Sequence, residues 1–234
     1  MSKALVITGA SKGIGLATAT HFAGQGYRVI NMSRTPCHLP EVQNLPIDLM
    51  QSDWTERWRD ELLENLQGID QIALVHNAAQ MTKDTVRDIT ADSLAASLQL
   101  NVIAAAQLNT LLLPQMSAGS SIVYISSTLG QKAVANTHAY VISKHAVIGQ
   151  MRATCQDLVG SQIHTACVCP GFTETEMLKE HLGKNPDLMA EITAMIAHGR
   201  LVQPDEIAAT IWFCATNPVI NGAIIDANLG QVER

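Results

Sequence analysis

The first fifteen residues limit the fold of this chain more than any other stretch. A β-branched apolar run, Ala4-Leu5-Val6-Ile7-Thr8, leads directly into Gly9-Ala10-Ser11-Lys12-Gly13-Ile14-Gly15, and a helical pattern opens there and continues to about residue 25. Glycine at such a place permits a tight turn, close backbone approach to a ligand, and close packing of helix on strand. The helix N-terminus adds unpaired N–H groups and a partial positive charge. A glycine-rich turn could also be merely a connection. The strand on one side and the helix on the other favour a phosphate cradle instead.

The alternation begun there continues along the chain. Strand patterns at 27–33, 71–76, 121–126, 163–169 and 222–227 alternate with helical patterns near 52–66, 91–113, 137–159 and 204–216. The strands, such as QIALVH and SIVYIS, are near-continuously apolar, as in parallel sheets covered on both faces. We expect an α/β fold: a Rossmann-type doubly wound parallel sheet of about seven strands, helices on both faces, with residues 1–234 as a single domain. Two interruptions stand out. Residues 35–46, with Pro36, Pro40 and Pro46, read as a loop after the second strand. Residues 172–200 read as a long excursion in which a helical stretch at 174–182 is broken by Gly183 and Pro186. Loops of that length are often lids or binding loops, so the excursion is read as a substrate cover. Its Met177, Leu178, Leu182, Met189 and Met195 suit a flexible apolar cover, and equally suit ordinary helix packing.

Composition narrows the class. Hydrophobic residues make up 47% and charged residues 15% of the chain, which suits a buried sheet. A net charge of −6 argues against a nucleic-acid surface as the main business. No segment reaches the ~18 consecutive apolar residues of a membrane span, so no membrane association is expected. The apolar run at the N-terminus is too short for a signal peptide and ends in the glycine turn. Cys37, Cys155, Cys167, Cys169 and Cys214 are odd in number and lack framework spacing; Cys167 and Cys169 read as buried thiols in a strand. A reducing cytoplasm is the expected location, and no metal site is expected.

One motif carries chemistry. Tyr140 and Lys144 stand at i and i+4, one turn apart on one helix face. A free tyrosine titrates near ~10, and a neighbouring ammonium favours its phenolate. Thirteen residues upstream, Ser127 ends the apolar run Ser121-Ile122-Val123-Tyr124-Ile125-Ser126-Ser127. A hydroxyl at the C-terminal end of a strand faces the crevice where open α/β sheets bind ligands.

The glycine turn has the form T-G-x-x-x-G-x-G and resembles that of the short-chain dehydrogenase/reductase family. Asp48-Leu49 after the third strand, His76-Asn77-Ala78-Ala79 (resembling the family's N-N-A-G), Asn101 in the long helix and Pro170-Gly171 after the sixth strand agree. With Ser127, Tyr140 and Lys144 the resemblance spans essentially the whole chain in the family's order. It implies an oxidoreductase that interconverts a carbonyl and an alcohol by hydride transfer. Tyr140 would be the general acid or base, and Ser127 would hold the substrate oxygen. Lys144 would lower the tyrosine's pKa and bond the nicotinamide ribose, and Asn101 would fix a water linking the lysine to solvent. The offset to Tyr140 selects Ser127 over Ser126. His76, where the family usually has asparagine, reads as a structural residue at a strand end. Ala79, where the family has glycine, narrows the groove near the adenosine side, and His138 reads as a surface residue at a helix start.

The resemblance places the cofactor on Gly9, Ser11, Lys12, Gly13, Ile14, Gly15, Ser33, Arg34, Asp48, Leu49, Asn77, Ala78, Tyr140, Lys144, Pro170, Gly171, Thr173 and Thr175. The second strand ends Asn31-Met32-Ser33-Arg34 with no acid to accept the ribose hydroxyls. Arg34, with Lys12 alongside, suits a 2′-phosphate, so NADP(H) is expected in preference to NAD. The expected partner is a small or medium, partly apolar carbonyl or alcohol; a 3-oxoacyl thioester would call for a basic patch that the sequence does not display. A second reading is an NADP-binding redox-sensing or regulatory protein with little or no turnover. Such relatives typically lose the tyrosine or the lysine, and both are present here. Sugar-nucleotide epimerases carry a larger C-terminal substrate domain than the 63 residues after Gly171. The resemblance further implies a homo-oligomer, tetramer or dimer, joined through helices 137–159 and 91–113 and the last strand. Val147, Ile148, Met151 and Leu158 read as more apolar surface than one core face absorbs.

Overall fold

In a computed structural model that describes residues 1–182 and 186–232, the N-terminal apolar run forms β1 (Lys3–Thr8) at the middle of the sheet. It pairs in parallel with β2 (Arg28–Met32) on one side and β4 (Gln71–His76) on the other. Successive side chains of a strand point to opposite faces. Ala4 and Val6 accordingly enter one core, and Leu5 and Ile7 the other. The first core is closed by α2 (Trp54–Glu64), α4 (Ala104–Leu112) and α5 (His138–Asp157), the second by α1 (Gly13–Gly24) and α8 (Pro204–Thr216). On the second face Phe22 meets Tyr27 and Trp212 edge-on, with ring centroids 5.1 and 4.9 Å apart.

The sheet has the order β3-β2-β1-β4-β5-β6-β7, and every pair is parallel. Its remaining strands are β3 (Gln43–Leu45), β5 (Ser121–Ile125), β6 (His164–Pro170) and β7 (Ala223–Ala227). The chain winds outward from β1 to β3 and then crosses back to β4. The strand order therefore reverses between β1 and β4, which opens a crevice at their C-terminal ends.

The elements differ from expectation in three places. The loop expected over residues 35–46 contains β3, whose three residues pair with Ile30–Met32 of β2. Asn44 stitches it in place, accepting from Asn31 Nδ2 at 2.8 Å and from Cys37 N at 2.7 Å. The helix expected over 91–113 is divided into α3 (Ala91–Leu98), a π-helical turn (Gln99–Ile103) and α4. The run Ala91–Gln115 is long enough to cross a membrane, and an 18-residue stretch within it has a mean hydropathy of 1.3. Leu108, Leu111 and Leu112 nevertheless pack into the core. The excursion after β6 holds two helices, α6 (Glu176–Leu182) and α7 (Pro186–Ala194); Gly183 lies outside the described residues. The expectation that α5 carries surplus apolar surface is corrected. Val147, Ile148 and Met151 are buried in the core and Leu158 packs against its edge.

Candidate active site

The turn after β1 is built around missing side chains. Gly9 has φ +75°, and a Cβ on Gly15 would lie 2.1 Å from Gly9 O and 2.6 Å from Asn77 Nδ2, so only glycine fits there. Asn77 clamps the turn to β4, its Nδ2 donating to Thr8 O at 3.0 Å and Gly9 O at 2.9 Å. Thr8 Oγ1 accepts from the backbone N–H groups of Asn77 and Ala78 at 3.0 and 2.9 Å. Asn31 Oδ1 accepts from Ala10 N at 2.9 Å. Thr8 on β1, Asn31 on β2, and Asn77 and Ala78 just past β4 thus hold the turn in place.

A groove of about 1030 Å³ begins at this turn. Ser11, Lys12, Gly13, Ile14, Ser33, Arg34, Asp48, Leu49, Asn77 and Ala78 all line its first part. Arg34 is exposed, and among the described residues no carboxylate pairs with it. Ser33 Oγ donates to Thr35 O at 2.5 Å, and Asp48 Oδ1 accepts from Met50 N at 3.1 Å. Lys12 Nζ stands 3.5 Å from Glu180 Oε1 on α6, an exposed pair worth little in itself.

Further along the groove stand Ser127, Tyr140 and Lys144. Ser127 lies just past β5, where extended backbone gives way to a short 3₁₀ turn (Thr128–Gly130), and its Oγ accepts from Leu129 N at 3.1 Å. Ser126 also touches the groove wall, but its Oγ is committed to Lys144 O, to which it donates at 2.9 Å. The offset from Tyr140 thus selects the serine that faces the groove beside the phenol, and it hydrogen-bonds there. Lys144 Nζ donates to Ile125 O at 2.8 Å and lies 5.5 Å from the centroid of the Tyr140 ring.

Electrostatics here runs against the sequence reading. Burial pushes the Tyr140 phenol up to about 12, opposed by its hydrogen bond with Ser127. Burial also lowers the Lys144 ammonium to about 8, opposed by the Cys167 and Cys169 sulfurs. On balance the phenol is raised and not lowered as expected, because desolvation is the largest influence on it, as it is on the ammonium.

Pro170, Gly171, Thr173 and Thr175 close the groove beyond the sheet. Thr173 Oγ1 donates to Gly171 O at 3.0 Å, and Thr175 Oγ1 accepts from Leu178 N at 3.3 Å. The excursion covers this end. Met177, Leu178 and Met195 face the groove, whereas Met189 packs in a satellite cluster with Leu178, Ile192, Ile196 and Leu201. Leu178 and Met195 belong to both the groove wall and the cluster; the Leu182 side chain lies outside the described residues.

The sequence model of a family described as enoyl-(acyl carrier protein) reductase matches residues 9–231. The dehydrogenase/reductase SDR family member 6 of Rattus norvegicus is 30% identical over 223 residues, covering 92% of this chain and 90% of the relative. This chain belongs to the short-chain dehydrogenase/reductase family. Protein FixR of Bradyrhizobium diazoefficiens is also 30% identical over 246 residues, covering 98% of this chain and 86% of FixR. The ligand-free aldohexose dehydrogenase of Thermoplasma acidophilum superimposes with a TM-score of 0.89 at 25% identity, covering 98% of this chain and 94% of that one. As a short-chain dehydrogenase/reductase the chain is an oxidoreductase, and the family uses a nicotinamide dinucleotide.

Asn101 has a different place from the other expected residues. It sits buried in the π turn, off the main groove. Its side chain accepts from Gln80 N at 2.9 Å and donates to Gln80 O at 3.0 Å and Ser143 Oγ at 2.9 Å. The side chain is thus committed to joining the loop after β4 to α5, one residue before Lys144. His138 does not line the groove. Sequence reading missed Asp84, whose Oδ1 accepts from Ala139 N at 2.8 Å and fixes the start of α5 beside Tyr140. It also missed Gln231, a buried groove residue on the C-terminal segment that bridges to Ile196 of the cover. Both lie on loops, where no periodicity or motif marks them.

Proposed function

We propose that this short-chain dehydrogenase/reductase is an NADP(H)-dependent carbonyl reductase, run in reverse as an alcohol dehydrogenase. The observation that carries the reading is the convergence of Ser127, Tyr140 and Lys144 on one groove that starts at the glycine turn. The residues fit a dinucleotide: Gly15 leaves a cradle that a single Cβ would fill, and the N-terminus of α1 supplies unpaired N–H groups for a pyrophosphate. Gly9–Gly15 would hold that pyrophosphate, Asp48 and Leu49 the adenine end, Thr173 and Thr175 the carboxamide, and Lys144 the ribose. When bound, the cofactor supplies or takes the hydride.

The chain supplies the proton and the geometry. Tyr140, protonated through the neutral range, donates to the carbonyl oxygen as charge builds there. Ser127 donates a hydrogen bond to the same oxygen and stabilises that charge. Lys144, protonated below about 8, holds a positive charge near the phenol and favours the phenolate left after transfer. The proton returns to Tyr140 through Lys144 and a water that Asn101 would fix. The apolar Phe172, Leu178 and Ile192 of the cover suit a partly apolar ketone or aldehyde. Arg34, exposed and unpaired by any acid among the described residues, supports NADP(H) over NAD, as does the absence of an acid after β2.

The test is titration of the protein with NADPH and with NADH, followed by absorbance at the reduced nicotinamide on a panel of small ketones and aldehydes. NADPH should bind about 10-fold or more tightly than NADH and be consumed with at least one member. Tighter NADH binding would overturn the cofactor assignment. Tight binding without turnover on any member would favour a sensing role.

A further inference from the structure

β4 ends in His76, whose buried ring packs on the Tyr124 ring with centroids 4.9 Å apart. His76 Nε2 lies 2.7 Å from Asn109 Oδ1. The direction of that bond is fixed further along. Asn109 Nδ2 donates to Tyr124 Oη at 2.6 Å, so the amide oxygen faces the imidazole and accepts from it. Tyr124 in turn donates to Thr154 Oγ1 at 2.9 Å, because the threonine proton goes to Gln150 O at 2.9 Å. His76 thus carries its proton on Nε2, and Nδ1 remains a buried acceptor without a partner among the described residues.

Lys144 has the complementary surplus. An ammonium has three N–H groups, and one of them goes to Ile125 O. A void of about 10 Å³ touches both His76 and Lys144, with Thr8, Asn101, Tyr124 and Ile125 also on its wall. That is room for about one water. A water in it would accept a second of the three ammonium N–H groups and donate to Nδ1, giving the imidazole its missing partner.

We propose that His76 is a positioning residue for Lys144, its bare Nδ1 holding one water in this void and the water holding the ammonium. The proposal rests on the role given to Lys144 in the reductase reading. Other titratable groups facing the pair are Tyr124 from β5, Tyr140 from α5, and Cys167 and Cys169 from β6. Burial lowers the imidazole to about 4, so the acceptor is present throughout the neutral range.

Two variants and one structure test it. His76→Leu removes the acceptor at similar bulk, and His76→Asn keeps an amide oxygen. The leucine variant should lose on the order of 10-fold in kcat with the KM for NADPH changed less than about 2-fold. The alkaline limb of its kcat profile should move acidward by about one pH unit, since loss of an acceptor disfavours the charged lysine. The asparagine variant should recover most of the rate. A crystal structure of the wild type should show a water within hydrogen-bonding distance of both His76 Nδ1 and Lys144 Nζ. An unchanged rate and pH limb in His76→Leu, equal impairment in both variants, or a void without water would overturn the proposal. If the wild type reduces no carbonyl compound, the reading of Lys144 fails, and the crystal structure still decides the water. If His76→Leu does not fold, the asparagine variant and the crystal structure decide.

Discussion

Burial, more than pairing, sets the chemistry of single residues in this site. A phenol pushed up to about 12 stays in the donor form that carbonyl reduction needs, while an ammonium lowered to about 8 is lost just above neutrality. The reduction rate should therefore be level near neutral pH and fall as pH rises through about 8, and alcohol oxidation, which needs the phenolate, should gain; pH–rate profiles in both directions check this. His76 gives a stability counterpart. Its folded pKa of about 4 lies below the ordinary 6.5, so the unfolded chain binds more protons between those values and stability falls as pH drops through that window. Urea unfolding at pH 7 and pH 5 should show a loss of about 2 kcal/mol from this residue that His76→Asn lacks. At the other end of the groove, Arg34→Ala should weaken NADPH binding by on the order of 10-fold and leave NADH nearly unchanged, as measured by direct titration.

At the scale of elements, α5 is the part that must not shift, because Tyr140 and Lys144 both ride on it. Asp84 holds its first turn through the backbone N–H of Ala139, and Asn101 holds it through Ser143. Asp84→Ala should cost about 1 kcal/mol of stability and lower kcat several-fold without changing the dissociation constant for NADPH, readable from thermal unfolding and steady-state kinetics. The strands and α5 were legible in the sequence because their apolar periodicity is dictated by burial on both faces. β3 showed no pattern of its own, since three residues held by Asn44 carry no periodicity and sit among prolines; only the resemblance placed a third strand before Asp48. The π turn was equally hidden: its apolar pattern continues that of α3 and α4, and only the side-chain bonds of Asn101 give it away. The cover was legible as a long excursion. The split of its methionines between groove and satellite cluster needed the fold.

For the whole molecule, the order of motifs along the chain carried the family and the doubly wound sheet, because the motifs outside the helices fall beyond the C-terminal ends of successive strands. What it did not carry is surface. With Val147, Ile148 and Met151 in the core, the case for self-association moves from α5 to the edge strand β7, where Ala223, Ile224, Ile225 and Ala227 are only half-buried, and to exposed Phe213 and Val219 nearby. Light scattering should give a mass that is a multiple of 25.2 kDa, and a charged residue at Ile225 should lower it toward that value. The central claim is that Tyr140 is the proton donor in a reductase. The most direct measurement of it is kcat/KM for NADPH-dependent carbonyl reduction by wild type and Tyr140→Phe, with NADPH affinity determined for both. A loss of about 10³-fold or more at unchanged NADPH affinity is the predicted result; a Tyr140→Phe variant that reduces the same carbonyl at the wild-type rate would contradict it.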